Sequence, residues 1–181
     1  VKKMATRVAF RAGTLAAAAT ITASVALVGA TPASAMPAGA LYWTFLSNGA
    51  SGKCLEIPGN NGSDGAPVQQ WTCNRGENQK WYVYATGDGY YTLVNSMSGD
   101  CLDVPYASKD RGTALQQWSC NGGDNQKWVI SGTDPSTGLL TITNKNSWMV
   151  IDNPNGSTSD GARMVQWPYN YGKNQFWHSF S

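Results

Sequence analysis

From Leu41 onward the apolar residues fall in short runs, with no sustained recurrence at helical spacing. Runs such as YTLVN at Tyr91–Asn95 combine aromatic and β-branched residues, and they are bounded by Gly, Asn, Asp and Ser clusters such as GNNGSDGAP and NPNGSTSDGA. Runs of that kind favour extended strands, and the clusters between them favour tight turns. The pattern predicts an all-β domain of twelve strands. The first four span Tyr42–Leu46, Cys54–Ile57, Val68–Cys73 and Lys80–Tyr84. The next four span Tyr91–Asn95, Cys101–Val104, Ala114–Cys120 and Lys127–Ile130. The last four span Leu139–Thr143, Met149–Asp152, Arg163–Trp167 and Phe176–Phe180.

These strands belong to a repeated unit. QQWTCNRGENQKW at Gln69–Trp81 recurs as QQWSCNGGDNQKW at Gln116–Trp128 and as VQWPYNYGKNQFW at Val165–Trp177. Trp81, Trp128 and Trp177 therefore stand 47 and 49 residues apart. Upstream, CLEIP at Cys54–Pro58 is echoed by CLDVP at Cys101–Pro105 and by VIDNP at Val150–Pro154. The spacing from Glu56 to Gln69, from Asp103 to Gln116 and from Asp152 to Val165 is 13 residues each time. The two additional residues of the last period are expected near Thr133 to Gly138, between units. The units run over about 41–86, 87–133 and 134–181.

The segment before them reads differently. Lys2, Lys3, Arg7 and Arg11 precede an alanine-rich run that ends in ATPASA, so residues 1–35 read as a secretory signal cleaved after Ala35, with 36–40 as a short lead-in. A membrane anchor is the competing reading; Gly13, Thr14, Thr20, Thr22 and Ser24 interrupt the run and weaken it as a bilayer crossing. Four of the 13 Lys and Arg lie in this segment, leaving nine against 11 Asp and Glu, a net charge of −2. The overall excess of cations thus carries no implication of nucleic-acid binding.

Export makes disulfides the expected state of the four cysteines. Four cysteines allow three pairings, but Cys54 and Cys73 occupy the same offsets as Cys101 and Cys120, and the third unit loses both positions together, as Val150 and Tyr169. The expected bridges are Cys54 to Cys73 and Cys101 to Cys120, each closing a loop of about 20 residues and contributing roughly 3 kcal/mol on a chain-entropy account. The third unit is expected to replace its bridge by packing Val150 against Tyr169.

On the three Gln-x-Trp tripeptides, Gln79 with Trp81, Gln126 with Trp128 and Gln175 with Trp177, and on their fixed offset from the upstream Cys-x-Asp/Glu and QQW elements, the chain from 41 to 181 resembles the ricin B-type lectins and the similar family 13 carbohydrate-binding modules. The resemblance implies a β-trefoil, three four-stranded repeats about a pseudo-threefold axis, in which units too small to bury their own apolar faces share one core. Trp81, Trp128 and Trp177 are then core residues. Trp71, Trp118 and Trp167, mid-strand and two residues from the cysteine position, form a second set.

A sugar presents a patch of C–H bonds rimmed by hydroxyls, so its site needs an aromatic plate and convergent acceptors and donors. The second repeat supplies Asp103 as acceptor, Trp118 as plate, Gln116 and Asn125 as edge contacts and Asn121 on the adjoining turn. By resemblance, Asp103, Gln116, Trp118, Asn125 and Gln126 fall on the galactose-site positions of the ricin-type lectins, with Gln126 read chiefly as orienting Asp103 and fixing the turn. The first repeat offers Gln69, Trp71, Asn74, Asn78 and Gln79, but Glu56 stands where the pattern has Asp, and its extra methylene is expected to push the carboxylate outward. The third keeps Asp152, Trp167, Asn170, Asn174 and Gln175 but has Val165 in place of the glutamine. The expected order of competence is second, third, first. A plainer reading stands beside this one, in which the Asp caps a loop, the Asn and Gly residues make turns and the strand Trp packs on a neighbour. Tyr106, Tyr171 and Trp148 lie in or beside loops near these sites, and Tyr106 or Tyr171 is a candidate for extending a subsite. Gln70, Gln117 and Gln166 fall on the opposite strand face, with no role assigned.

One histidine, His178, and four cysteines committed to bridges leave no His/Cys metal cluster and no His-assisted nucleophile. No calcium-loop spacing or phosphate-cradling glycine motif is present, and Glu56, Asp103 and Asp152 lie in separate units, so catalysis and cofactors are not expected. The sequence predicts a secreted, monomeric carbohydrate-binding protein for galactose-type sugars or plant polysaccharides such as xylan. With no linker or catalytic domain in the chain, any hydrolase it assists is expected to be a separate protein. The alternative is an interaction subunit or inhibitor with vestigial sugar sites.

Overall fold

The computed structural model describes residues 36–134 and 138–181. The expected signal segment, and Pro135 to Thr137 within the expected insertion, lie outside the described residues. Twelve strands form in the expected order: β1 (Tyr42–Asn48), β2 (Cys54–Glu56), β3 (Gln69–Trp71), β4 (Trp81–Ala85), β5 (Tyr91–Asn95), β6 (Cys101–Asp103), β7 (Gln116–Trp118), β8 (Trp128–Asp134), β9 (Leu139–Asn144), β10 (Val150–Asp152), β11 (Val165–Trp167) and β12 (Trp177–Phe180). The QQW strands are shorter than predicted because their flanks leave the local ladder. Pro67 and Ala114 bridge to Gln116 and Val165 of the next unit, and Arg163 bridges to Gln69.

The long strands close a ring. β1 pairs β4, β4 pairs β5, β5 pairs β8, β8 pairs β9, β9 pairs β12 and β12 returns to β1, all antiparallel. Three short hairpins, β2 with β3, β6 with β7 and β10 with β11, complete the repeats of a β-trefoil. A closed barrel removes the exposed strand edges that a lone four-stranded unit would present.

The core contains one indole from each unit. Trp81, Trp128 and Trp177 are fully buried, and each donates its Nε1–H to a backbone carbonyl of its own repeat, Leu55 at 3.1 Å, Leu102 at 3.1 Å and Ile151 at 3.3 Å. Aliphatic residues at matching positions fill the space between them, Leu55, Leu102 and Ile151 in one set and Val68, Leu115 and Met164 in another. Both expected disulfides, Cys54–Cys73 and Cys101–Cys120, are formed. In the third unit Val150 is buried, while the rings that meet Tyr169 are those of Tyr171 and Phe176, with centroids 4.5 and 6.2 Å away. An aromatic cluster thus occupies the region of the missing bridge.

The glutamines at the centre of each QQW join the units. Gln117 is fully buried; its Nε2 donates to the carbonyls of Asn61 at 2.7 Å and Ser63 at 3.1 Å in the first repeat, and its Oε1 accepts from Ser98 at 2.8 Å. Gln166 reaches Ser108 and Asp110 of the second repeat in the same way, and Gln70 reaches Ser157 and Ser159 of the third. The buried amides of Asn48, Asn95 and Asn144 add a second set of ties, donating to the carbonyls of Asn174, Asn78 and Asn125 in the preceding repeat around the ring. Gln117→Ala strands two carbonyls and a hydroxyl and is expected to cost about 1–3 kcal/mol. Trp128→Ala, which empties a core position, is expected to cost about 3–5 kcal/mol. Urea denaturation of both variants measures the two losses.

Candidate functional site

The 13-residue spacing has a direct geometric meaning: Asp103 lies opposite Gln116 across the β6–β7 hairpin, Glu56 opposite Gln69 and Asp152 opposite Val165. Cross-strand partners share a face, and so do residues two apart, so the carboxylate, the outer glutamine and the exposed Trp project together while the central glutamine points inward. Each repeat thereby carries one cleft on its hairpin.

In the second cleft Asp103 is only 2 % exposed, at the floor. Its Oδ1 accepts from Gln116 Nε2 at 2.8 Å, and its Oδ2 from Asn125 Nδ2 at 2.7 Å and Gln126 Nε2 at 3.1 Å. Three donors on two carboxylate oxygens leave acceptor capacity on Oδ1 for a ligand hydroxyl. Asn125 has both amide hydrogens committed, to Asp103 and to the carbonyl of Val104, so it faces a ligand as an acceptor. Asn121 commits its Oδ1 to the amide of Gly123 and faces the cleft as a donor. Gly123 is required there, since a Cβ on it would lie 2.5 Å from Asn125 Oδ1.

Trp118 is 40 % exposed and Trp71 42 %, in contrast to the fully buried second Trp of each repeat. Each indole rests on a glycine of another repeat. Trp118 Cζ3 lies 3.7 Å from the Cβ position of Gly65, Trp167 Cζ3 3.4 Å from that of Gly112, and Trp71 Cζ3 3.9 Å from that of Gly161. All three glycines have positive φ, from 80 to 83°, and with no side chain they let the edge of the ring approach the backbone.

The first cleft departs from expectation. Glu56 is not displaced outward: its Oε1 accepts from Gln69 at 2.9 Å and its Oε2 from Asn78 at 3.2 Å and Gln79 at 2.9 Å, the same amide set that holds Asp103. In the third cleft Asp152 Oδ2 accepts from Asn174 at 2.9 Å and Gln175 at 2.8 Å. Val165 supplies no donor, so among the described residues no side chain bonds to Oδ1. The substitution removes one edge contact and frees a carboxylate oxygen.

Of the sequence-predicted residues, Asp103, Gln116, Trp118, Asn121 and Asn125 line the second cleft; Glu56, Gln69, Trp71, Asn74 and Asn78 the first; and Asp152, Trp167, Asn170 and Asn174 the third. Gln79, Gln126 and Gln175 do not line any of them. They are buried behind the carboxylates, where each also donates to a backbone carbonyl and accepts from the amide of Asn74, Asn121 or Asn170. The clefts measure about 520, 270 and 650 Å³ in repeat order. Tyr106, fully exposed with φ 55°, lines the smallest of them, where Gly59 and Asn155 stand in the other two.

Sequence reasoning missed Arg111, whose guanidinium lies 5.6 Å from the Trp167 ring centroid, and Lys173, which lines the third cleft. Comparison of equivalent positions held the signal: Arg111 stands where the other repeats have Asp64 and Asp160, and Lys173 where they have Glu77 and Asp124. No group of three or more His, Cys, Asp or Glu able to hold a metal ion occurs among the described residues.

A family model described as ricin-type beta-trefoil lectin domain-like matches residues 35–118, 78–167 and 124–181. The designed threefold symmetric protein ThreeFoil is 40 % identical, with a TM-score of 0.73 over 77 % of this chain and 98 % of its own. The exo-β-1,3-galactanase 1,3Gal43A of Clostridium thermocellum is 36 % identical with a TM-score of 0.73, over 77 % of this chain and 30 % of the enzyme. The ricin B-like lectin of Macrolepiota procera, solved with lactose, is 21 % identical with a TM-score of 0.66, over 76 % of this chain and 94 % of its own, a likeness of fold.

Burial raises the pKa of Asp103, opposed by the Gln116 and Gln126 bonds, and burial likewise raises that of Asp152 against the Gln175 and Asn174 bonds. A carboxyl whose folded pKa is raised contributes stability that is fully present below the ordinary value of about 3.9 and is lost as pH rises through the folded value. Asp103→Asn lacks that term and also, with its oxygen kept toward Asn125 and Gln126, points an amide donor at that of Gln116, for an expected cost of about 1–3 kcal/mol. Denaturation of both proteins across a pH series is expected to show a deficit that widens on acidification.

Proposed function

Because the chain belongs to the ricin-type β-trefoil lectin domain-like family, we propose that it is a secreted, non-catalytic carbohydrate-binding protein for neutral galactose-type sugars or plant polysaccharides such as xylan, acting as a monomer. The observation that carries this reading is the second cleft, where an exposed indole stands beside a buried carboxylate with acceptor capacity left and beside amides of both polarities. A pyranose lays its C–H face on Trp118, donates one hydroxyl to Asp103 Oδ1 and another to Asn125, and accepts from Asn121. Two disulfides accord with export to an oxidising compartment, and no helix among the described residues is long and apolar enough to cross a membrane.

Such a cleft makes few contacts, so single-site dissociation constants between roughly micromolar and millimolar are expected, about −8 to −4 kcal/mol. Three clefts on one rigid ring raise avidity for a polysaccharide that spans them by about 10²-fold or more. The test is a glycan array followed by titration calorimetry of the hits against wild type and Trp118→Ala. Since Asp103 also holds the fold, Trp118 is the cleaner probe: its truncation is expected to abolish second-cleft binding at a stability cost of about 1–2 kcal/mol, smaller than that of Trp128→Ala because the indole is 40 % exposed. Absence of any glycan binding at millimolar concentration would favour the interaction-subunit alternative.

A further inference from the structure

The three clefts share one frame and differ in charge. Beside the second, Asp64 accepts from the backbone N–H of Ser119 at 2.5 Å and from its hydroxyl at 2.9 Å. Beside the first, Asp160 does the same for Thr72, at 2.7 and 3.1 Å. The third breaks the pattern on both sides of the junction at once: the residue equivalent to Ser119 and Thr72 is Pro168, which has no N–H to offer, and the residue equivalent to the acid is Arg111. Freed of a capping task, Arg111 is exposed and lies over the Trp167 ring. Lys173 also lines this cleft, at the position where the other repeats place an acid. Among the described residues no carboxylate lies within ion-pair distance of either cation.

The cleft thus combines a floor carboxylate with one oxygen free of protein donors, an indole plate, an unpaired Lys173 in its lining and an unpaired Arg111 over the plate. We propose that the third cleft selects a sugar carrying an anionic substituent, a carboxylate or a sulfate ester, which Arg111 and Lys173 receive while Asp152 takes a hydroxyl on the opposite edge of the ring. The inference rests on the lectin reading and replaces its neutral sugar by an acidic one at this site alone. The free oxygen accepts from sugar hydroxyls, and the guanidinium, planar and fully charged, matches a carboxylate or sulfate in two-point contact. The second cleft, flanked by Asp64, and the first, where Lys53 offsets Asp160 at 2.7 Å, carry no such pair of cations and are left to neutral sugars.

The probes are galactose, galacturonic acid and galactose 6-sulfate, titrated while the indole Nε1–H signals of Trp71, Trp118 and Trp167 are followed by NMR. Trp167 is expected to report binding of at least one acidic sugar roughly 5-fold tighter than galactose, and the advantage is expected to vanish near 1 M salt, where the screening length falls to about 3 Å. Which acid is preferred separates a carboxylate ligand from a sulfated one. Arg111→Ala with Lys173→Ala, both exposed, is expected to erase the preference, bringing the acidic sugars to within about 2-fold of galactose in the same variant. A preference that survives the double substitution overturns the inference. So does a gain in galactose affinity, which would make Arg111 a lid on the plate, or silence of Trp167 toward both acids while Trp71 or Trp118 responds to galactose. No response of any indole to any of the sugars counts against the lectin reading itself.

Discussion

The structure depends on the buried glutamine at the centre of each QQW or VQW. Gln117 pairs its backbone N–H with the carbonyl of Ala66 and its carbonyl with the N–H of Gly65, and its side chain binds two further carbonyls of the same loop and one serine of its own repeat. Every polar group it owns is thereby satisfied inside the protein, four of the five bonds across a repeat boundary. Gln70 and Gln166 do the same one step around the ring. A shorter or apolar side chain there leaves three partly buried polar groups without this partner.

The clefts are a by-product of that grip. Holding the loop of another repeat also brings its glycine under the exposed indole, so the plate belongs to one unit and its support to another. Strand alternation then puts the outer glutamine and the Trp on the cleft face whenever the central glutamine is inside. The floor carboxylate is likewise shared between tasks. It orders the Asn and Gln of the following turn, and those amides in turn aim its remaining acceptor capacity outward. The chemistry of the cleft and the stability of the fold are therefore coupled most tightly at Asp103 and less so at Trp118.

Much of this was legible in the chain. The period located the strands, both bridges and the core indoles, because each is settled within one unit and marked by residue types that recur. The cross-strand meaning of the 13-residue spacing emerged only with the pairing of the hairpins. What stayed hidden was mostly what passes between units. Gln70, Gln117 and Gln166 find their partners only once the ring has closed, and Asn48, Asn95 and Asn144 recur at the period of the core Trp without any local sign of being buried. Glu56 misled for another reason: side-chain length was weighed without knowing that the same amides would hold its carboxylate. The pairing of Arg111 with Pro168 spans a junction, so neither substitution explains itself alone.

Each repeat offers a glutamine to one neighbour and a loop to the other, a head-to-tail contact that closes after three steps. That arrangement has a consequence for descent. A single ancestral unit would already carry both halves of the contact, and three separate copies would assemble into the same ring as a trimer of identical chains. Fusion of copies into one chain would preserve the gripping residues under common constraint in every unit, while releasing the rim positions to drift apart. The opposite charges at 64, 111 and 160 accord with such release: one scaffold repeated three times, with three rims free to differ.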